Sequence, residues 1–132
     1  MTTTAVRTPG DATGLRRIAA IATAVSAVVH GYLFLDGWSI VPVVGPMFAV
    51  NAVAGAVIAV ALIASAHWVW RVLAVGFHGA SLLALLISHT PRGFFGLREA
   101  FWDSWQVMAA VSESVGLVTA ALALLVWWRA RR

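Results

Sequence analysis

The chain has 132 residues, of which 61% are hydrophobic and 11% charged, and its formal net charge is +4. A soluble domain carries charge on about a quarter of its residues, so this composition excludes an ordinary soluble protein and indicates a single membrane-embedded domain. The chain has no cysteine, which excludes disulfides, thiolate metal sites and cysteine nucleophiles. Its basic residues stand at the ends of apolar segments and form no patch with interleaved aromatics, so we expect no nucleic-acid binding.

Four long apolar segments follow a polar N-terminus. Residues 1–14 are rich in Thr, Gly and Pro and lack apolar periodicity, which predicts a disordered cytoplasmic tail. Each apolar segment reaches the length of about 20 residues that a helix needs to cross the hydrocarbon core. The sequence therefore predicts an all-α fold, a four-helix transmembrane bundle of up-down-up-down topology. The bundle covers residues 15–132, with spans of about 15–35, 46–66, 68–88 and 105–128.

The arginines are distributed unevenly between the two sides of the predicted bundle. With four spans, both termini share one side, and that side carries seven of the nine arginines. Only Arg92 and Arg98 lie on the other side. Because positive residues near spans are retained in the cytoplasm, we expect a multi-pass protein of the cytoplasmic membrane with both termini cytoplasmic. Its partners would be the lipid bilayer and either a larger membrane protein or a second copy of the chain.

The two loops on the outer side are unusually apolar. They cover residues 31–45 and 90–104. In the second loop, Phe94, Leu97 and Phe101 are spaced three and four apart, which predicts a short interfacial helix. The connection on the inner side is short by comparison. This asymmetry favours a ligand that approaches from outside, and the alternative is that the loops only cap the bundle.

Polar side chains are concentrated in the outer half of the predicted spans. With a rise of about 1.5 Å per residue, His30 and Asn51 lie roughly 7 Å below the outer ends of their spans. Ser81 and Glu113 lie roughly 12 Å deep. Because polar groups turn away from lipid, this pattern predicts an internal polar pocket. The residues expected to bind a ligand or handle protons are His30, Asn51, His78, Ser81, Gln106 and Glu113.

Glu113 is the only acidic residue of the fourth span, and two interpretations of it remain open. A carboxylate at bilayer depth is costly unless it is paired, protonated or facing a cavity. It either forms a structural hydrogen bond with a buried histidine, with His30 as the expected neighbour, or it anchors a ligand or handles protons. The chain has no nucleophile elbow, phosphate loop or paired-carboxylate signature, so the sequence favours a non-enzymatic protein.

The histidines raise two cofactor hypotheses. Haem b needs two imidazoles at similar depth, whereas His30 differs in predicted depth from His78 by roughly 9 Å and from His89 by roughly 7 Å. A zinc or copper site at the outer rim would use imidazole and carboxylate ligands. Its candidate ligands are His89, Asp36, Glu99 and Asp103, joined by His30. Their spacing matches no metal signature, so haem b and a transition metal both remain alternatives.

A group of small four-span membrane proteins from actinobacteria resembles this chain in two stretches. The stretches are HGYLFLDGWSIVPVVGPMFAVNAVAG (His30–Gly55) and SHTPRGFFGLREAFWDSWQVMAAVSESVGL (Ser88–Leu117). The resemblance includes a glutamate in the last span. It implies the four-span architecture and draws attention to His30, Asn51, Glu99 and Glu113, and it implies no activity. A looser similarity is to the DoxX-like four-span fold, for which no motif can be quoted.

These observations lead to one functional hypothesis and one alternative. The hypothesis is a non-enzymatic accessory or ligand-binding membrane subunit, with its polar pocket in the outer half of the bilayer and a larger envelope or respiratory protein as partner. The alternative is a proton-coupled carrier, or a redox subunit that binds haem or a metal, in which Glu113 and the histidines carry the chemistry.

Overall fold

The computed structural model describes residues 10–132, and within this range the protein is a bundle of four long helices with no strand. The helices are α1 (Gly10–Leu35), α2 (Val44–Ala64), α3 (Trp68–Ser88) and α4 (Ser104–Arg129). All four are long and apolar enough to cross a membrane. The predicted all-α four-helix fold is confirmed, and the chain is a multi-pass integral membrane protein.

Helix α1 begins earlier than the sequence predicted. The expected tail ended at residue 14, whereas the helix begins at Gly10, and residues 1–9 lie outside the described part of the chain. Extending an existing helix costs little because each added residue brings its own hydrogen bond. Ala12 is a strong helix former, and the single Gly14 costs about 1 kcal/mol. The apolar helix therefore extends through a polar segment that has no periodicity of its own.

The helices are arranged so that α1 lies between α2 and α4, while α3 packs mainly against α4 and less extensively against α2. Residues 36–43 and 89–103 connect the helices at one end of the bundle, which we call the loop end. Residues 65–67 form the short connection at the opposite end, which we call the terminal end. The weaker contact between α2 and α3 leaves space in the bundle near the loop end.

An apolar core fills the half of the bundle nearest the terminal end. It is formed by Ala19, Ala20, Ile58, Leu62, Ala74 and Ala120. Small residues at such positions let helices approach closely in lipid, where no hydrophobic force drives their association. The outer faces are also apolar, with Val28, Val53 and Val118 exposed by 69%, 67% and 56%. These faces suit contact with lipid tails.

Arginine side chains complete the hydrogen bonding at the terminal end. The Arg16 guanidinium donates from Nη1 to the carbonyl oxygens of Leu62 (2.6 Å) and Ser65 (2.8 Å). The last carbonyls of a helix have no partner within it, so Arg16 ties α1 to the end of α2. Arg71 donates similarly to the Ala66 carbonyl at 2.8 Å. Both cations thus stabilise the short connection between α2 and α3.

The second loop contains no helix between residues 89 and 103, so the predicted interfacial helix is wrong. Phe94 and Leu97 instead exchange two backbone hydrogen bonds, of 2.8 and 2.9 Å. The intervening Phe95 and Gly96 both have positive φ, at 48° and 81°, as a type I′ turn requires. The glycine at the second turn position therefore outweighs the helical spacing of the apolar residues. The first loop carries a short 3-10 helix at Trp38–Ile40.

Candidate functional site

A cavity of about 90 Å³ lies between the helices at the loop end. A cavity needs roughly 10–15 Å³ to hold one water molecule, so this one has room for several waters or a small ligand. Trp38 of the first loop and Phe94 and Leu97 of the second lie over it. Five of the six side chains predicted to form a pocket line this cavity: His30, Asn51, Ser81, Gln106 and Glu113.

His30 contributes an unoccupied hydrogen-bond acceptor to the cavity. Its Nδ1 donates to the Ser26 carbonyl oxygen at 2.8 Å, so Nδ1 carries the hydrogen and the neutral ring leaves Nε2 as an acceptor. Nε2 has no partner among residues 10–132, and the side chain is only 7% exposed. Phe48 packs against the ring with centroids 5.4 Å apart and planes at 71°, which holds the imidazole in this orientation.

Amide and hydroxyl groups line another part of the cavity. The Asn51 amide donates to the Ser81 hydroxyl at 3.2 Å, which links α2 to α3 and leaves the amide oxygen of Asn51 without a partner in the described chain. At the start of α4, the backbone N–H of Gln106 donates to the Asp103 carboxylate at 2.7 Å. The Gln106 side chain accepts from the Asp103 N–H at 3.3 Å, which completes a capping box. The second carboxylate oxygen of the exposed Asp103 accepts no hydrogen bond from residues 10–132.

Glu113 joins three helices through a ring of polar side chains below this cavity, in which three hydrogen bonds are closed by the backbone of α1. Its Oε1 accepts from the Ser26 hydroxyl at 2.6 Å, and its Oε2 lies 2.7 Å from Nδ1 of His78. Nε2 of His78 lies 2.9 Å from the Thr23 hydroxyl, and Thr23 and Ser26 both belong to α1. All four side chains are at most 1% exposed. Each buried polar group in the ring is therefore satisfied, as a low-dielectric interior demands.

The hydrogen bonds of this ring place one proton between Nδ1 of His78 and Glu113. These two groups lie 2.7 Å apart, and both are acceptors when deprotonated, so a proton lies between them. The Thr23 hydroxyl lies 2.7 Å from the Ala19 carbonyl and 2.9 Å from Nε2 of His78, and it donates to one of them. The tautomer of His78 follows from that choice.

Gly116 makes room for the His78 ring. It lies one turn after Glu113 on α4, and a Cβ atom at this position would overlap the imidazole. The ring cannot move aside because hydrogen bonds hold both of its nitrogens, at 2.7 Å to Glu113 and 2.9 Å to Thr23. Gly116 is thus a component of the site, although a small residue in an apolar span by itself indicates only close helix packing.

The partner of Glu113 is His78 and not His30, which the sequence had favoured. His30 turns back to its own helix, at the Ser26 carbonyl. His78 lies ten residues before the end of α3, and Glu113 lies nine residues after the start of α4. A difference of one residue corresponds to about 1.5 Å in depth, compared with roughly 4 Å between the depths predicted for the two residues. His78 does not line the cavity, whereas its hydrogen-bond partner Glu113 does.

The four predicted metal ligands are not brought together. Glu99 and Asp103 line the cavity, but Asp36 is exposed and does not. His89 stacks on Trp102 with centroids 4.1 Å apart and donates from Nδ1 to the Leu85 carbonyl at 2.9 Å. Among residues 10–132, no three His, Asp or Glu side chains form a group that could hold a metal ion.

The hydrogen bonds of the histidines bear on the haem hypothesis. Both ring nitrogens of His78 are occupied by hydrogen bonds, so His78 could bind iron only if the ring of bonds around Glu113 were broken. The Nδ1 atoms of His30 and His89 are each bonded to a backbone carbonyl of their own helix. The structure therefore does not support a haem held between His78 and a second histidine.

Sequence reasoning missed the aromatic part of the site. Trp38, Phe48 and Trp105 line the cavity, whereas the residues predicted to form the pocket included no Trp or Phe.

Comparisons of the chain with known protein families, with characterised proteins and with solved structures found no match.

Proposed function

We propose that this protein is a non-enzymatic ligand-binding membrane subunit whose binding site is the cavity at the loop end. The observation that carries the proposal is the combination of apolar walls with a few unpartnered polar atoms that face the same space. Nε2 of His30 and the amide oxygen of Asn51 are the clearest of these. Small-molecule sites have this composition because apolar walls supply affinity and a few polar groups fix orientation.

The position of the cavity supports access from the loop end. The two apolar loops lie over it, and the apolar core closes the bundle toward the terminal end. The excess of arginine at the terminal end favours a cytoplasmic location for both termini. The cavity would then lie in the outer half of the cytoplasmic membrane. Its role would be that of an accessory subunit beside a larger envelope or respiratory protein.

A cavity-filling variant tests the proposal. Ala84 lines the cavity from α3, whereas Ala80, one turn earlier, is exposed on the same helix. A library of small polar compounds is screened for binding by thermal shift, since a ligand that binds only the folded state raises the melting temperature. We expect compounds that stabilise the wild type and Ala80→Phe but not Ala84→Phe. If no compound shows this pattern, the proposed function is wrong.

A second candidate function is proton-coupled transport, favoured by the buried proton between His78 and Glu113. That proton lies next to a cavity, as in a carrier that couples protonation to substrate binding. Proteoliposomes with an imposed pH gradient test this role. A carrier would show proton uptake that Glu113→Gln abolishes and that Asp36→Asn, an exposed acid outside the cavity, leaves intact. Equal proton leak in all three proteins would exclude the transport role and leave ligand binding unaffected.

A further inference from the structure

We infer that the ligand of the cavity is a small organic ammonium ion, an inference that rests on the proposed ligand-binding function. The charge of the lining is the first reason. Glu99, Asp103 and Glu113 line the cavity, and no arginine or lysine does. The whole chain has nine basic and five acidic residues, so three of its five acids surround one cavity in a basic protein.

The distribution of charge shows which side chains would attract a cation to the cavity. Glu113 is paired with His78, whose Nδ1 lies 2.7 Å from the carboxylate. The uncompensated charge belongs to Glu99 and Asp103, which line the cavity without an ion-pair partner in the described chain. No described residue donates a side-chain hydrogen bond to Glu99, and Asp103 uses one carboxylate oxygen for its helix cap. A cation entering the cavity would pass these two carboxylates first.

The hydrogen-bonding groups point to the same ligand class. Nε2 of His30 and the amide oxygen of Asn51 are acceptors without a partner in the described chain, and the exposed Asp103 has a second oxygen that can accept from a ligand. A ligand that fills the cavity has to supply N–H or O–H donors to His30 and Asn51, because an unpaired buried acceptor costs about 1–3 kcal/mol. A primary ammonium carries three such donors and a positive charge.

The aromatic rings that line the cavity also fit an organic ammonium ion. Trp38, Phe48 and Trp105 come from the first loop, α2 and α4, and they surround the cavity from three directions. A cation over an aromatic face gains about 0.5–2 kcal/mol, most when it is desolvated. The alkyl part of an organic ammonium would pack on the same rings. Inorganic cations lack that part, and the described residues offer them no set of three ligands.

Three probes of nearly equal size test the charge preference. tert-Butylammonium and tert-butanol differ only in the charged group, and pivalate supplies the anion. Each is titrated against the purified protein in detergent micelles, with tryptophan fluorescence as readout, since Trp38 and Trp105 line the cavity. We expect tert-butylammonium to bind at least about tenfold more tightly than tert-butanol, and pivalate not to bind.

The variants assign this preference to named residues. Glu99→Gln combined with Asp103→Asn removes the uncompensated charge while asparagine keeps the helix cap. This double variant should weaken tert-butylammonium binding about tenfold and leave tert-butanol unchanged. Asp36→Asn, an exposed acid of the loop end outside the cavity, is the control and should change neither.

Two outcomes separate this inference from the function on which it rests. If tert-butanol binds as tightly as tert-butylammonium and Ala84→Phe abolishes both, the ammonium inference is overturned and ligand binding stands. If tert-butylammonium binding is unaffected by Ala84→Phe, then the probe binds elsewhere and the inference is also overturned. The proposed function itself fails only if the wider library also gives no compound that depends on Ala84.

Discussion

The Glu113 carboxylate lies 2.7 Å from Nδ1 of His78, and the two side chains are 1% and 0% exposed. This pair connects α4 to α3, and through Ser26 and Thr23 both are tied to α1. Burial of two ionisable groups is stabilising only when every hydrogen-bonding atom is satisfied. The pair therefore makes the bundle depend on a complete polar ring at the boundary between its apolar core and its cavity.

Removal of both partners of this pair should cost less than the sum of the two single removals. His78→Leu leaves Glu113 without its imidazole, and loss of one partner from a buried pair costs about 3–5 kcal/mol. We expect Glu113→Leu to be similarly damaging and the double variant to be less destabilised than the sum, by at least about 1 kcal/mol. Unfolding in detergent measures all three. Glu113→Leu combined with His67→Leu is the control, because these two positions are distant and their losses of stability should add. If the losses also added for Glu113→Leu and His78→Leu, that result would contradict the coupling of Glu113 to His78.

Gly116→Ala should destabilise the bundle although alanine is the better helix former. The new methyl group would overlap a ring that hydrogen bonds hold in place, and such overpacking costs about 1–3 kcal/mol. Gly76→Ala is the control, because nothing lies within 4 Å of a Cβ there. It should be neutral or stabilising by up to about 1 kcal/mol. Combining Gly116→Ala with His78→Ala should remove the extra cost, and equal stability of the two glycine variants would contradict the close approach.

Arg16→Met should destabilise the terminal end. It keeps an apolar stem but leaves the carbonyls of Leu62 and Ser65 without their guanidinium donor, at a cost of about 1–3 kcal/mol. Arg17→Met removes the same charge from the adjacent exposed position and should change stability little. Thermal unfolding compares the two variants. An equal loss from both would show that charge at the terminal end matters and the cap does not.

The orientation in the membrane can be read by cysteine labelling, because the chain has no cysteine of its own. Ile40 at the loop end is 85% exposed, and His67 at the terminal end is also exposed. A membrane-impermeant maleimide should label Ile40→Cys in intact cells and His67→Cys only after permeabilisation. The opposite pattern would reverse the predicted orientation.

The sequence determined the helices and the pocket better than it determined the pairing inside the pocket. Apolar length predicts the spans directly, and the polar stripes of His30, Ser81 and Glu113 predict a shared interior. The ends of α3 and α4 were predicted to within one residue, so depth was not the obstacle. The partner of Glu113 could not be predicted because it depends on which faces of the helices meet. Periodicity also did not reveal the roles of two glycines. Gly96 allows the turn of the second loop, and Gly116 makes room for the imidazole of His78 on another helix.

The most direct measurement of the central claim is the reactivity of Ser81→Cys toward charged methanethiosulfonate reagents. Ser81 lines the cavity, and its neighbour Ala80 is exposed on the outside of α3. Thiolate is the reactive form, so a cysteine that faces lipid reacts slowly. We predict that Ser81→Cys reacts with an ammonium-bearing reagent faster than with a sulfonate-bearing one, while Ala80→Cys stays protected from both. Protection of Ser81→Cys equal to that of Ala80→Cys would contradict a cavity that receives a ligand.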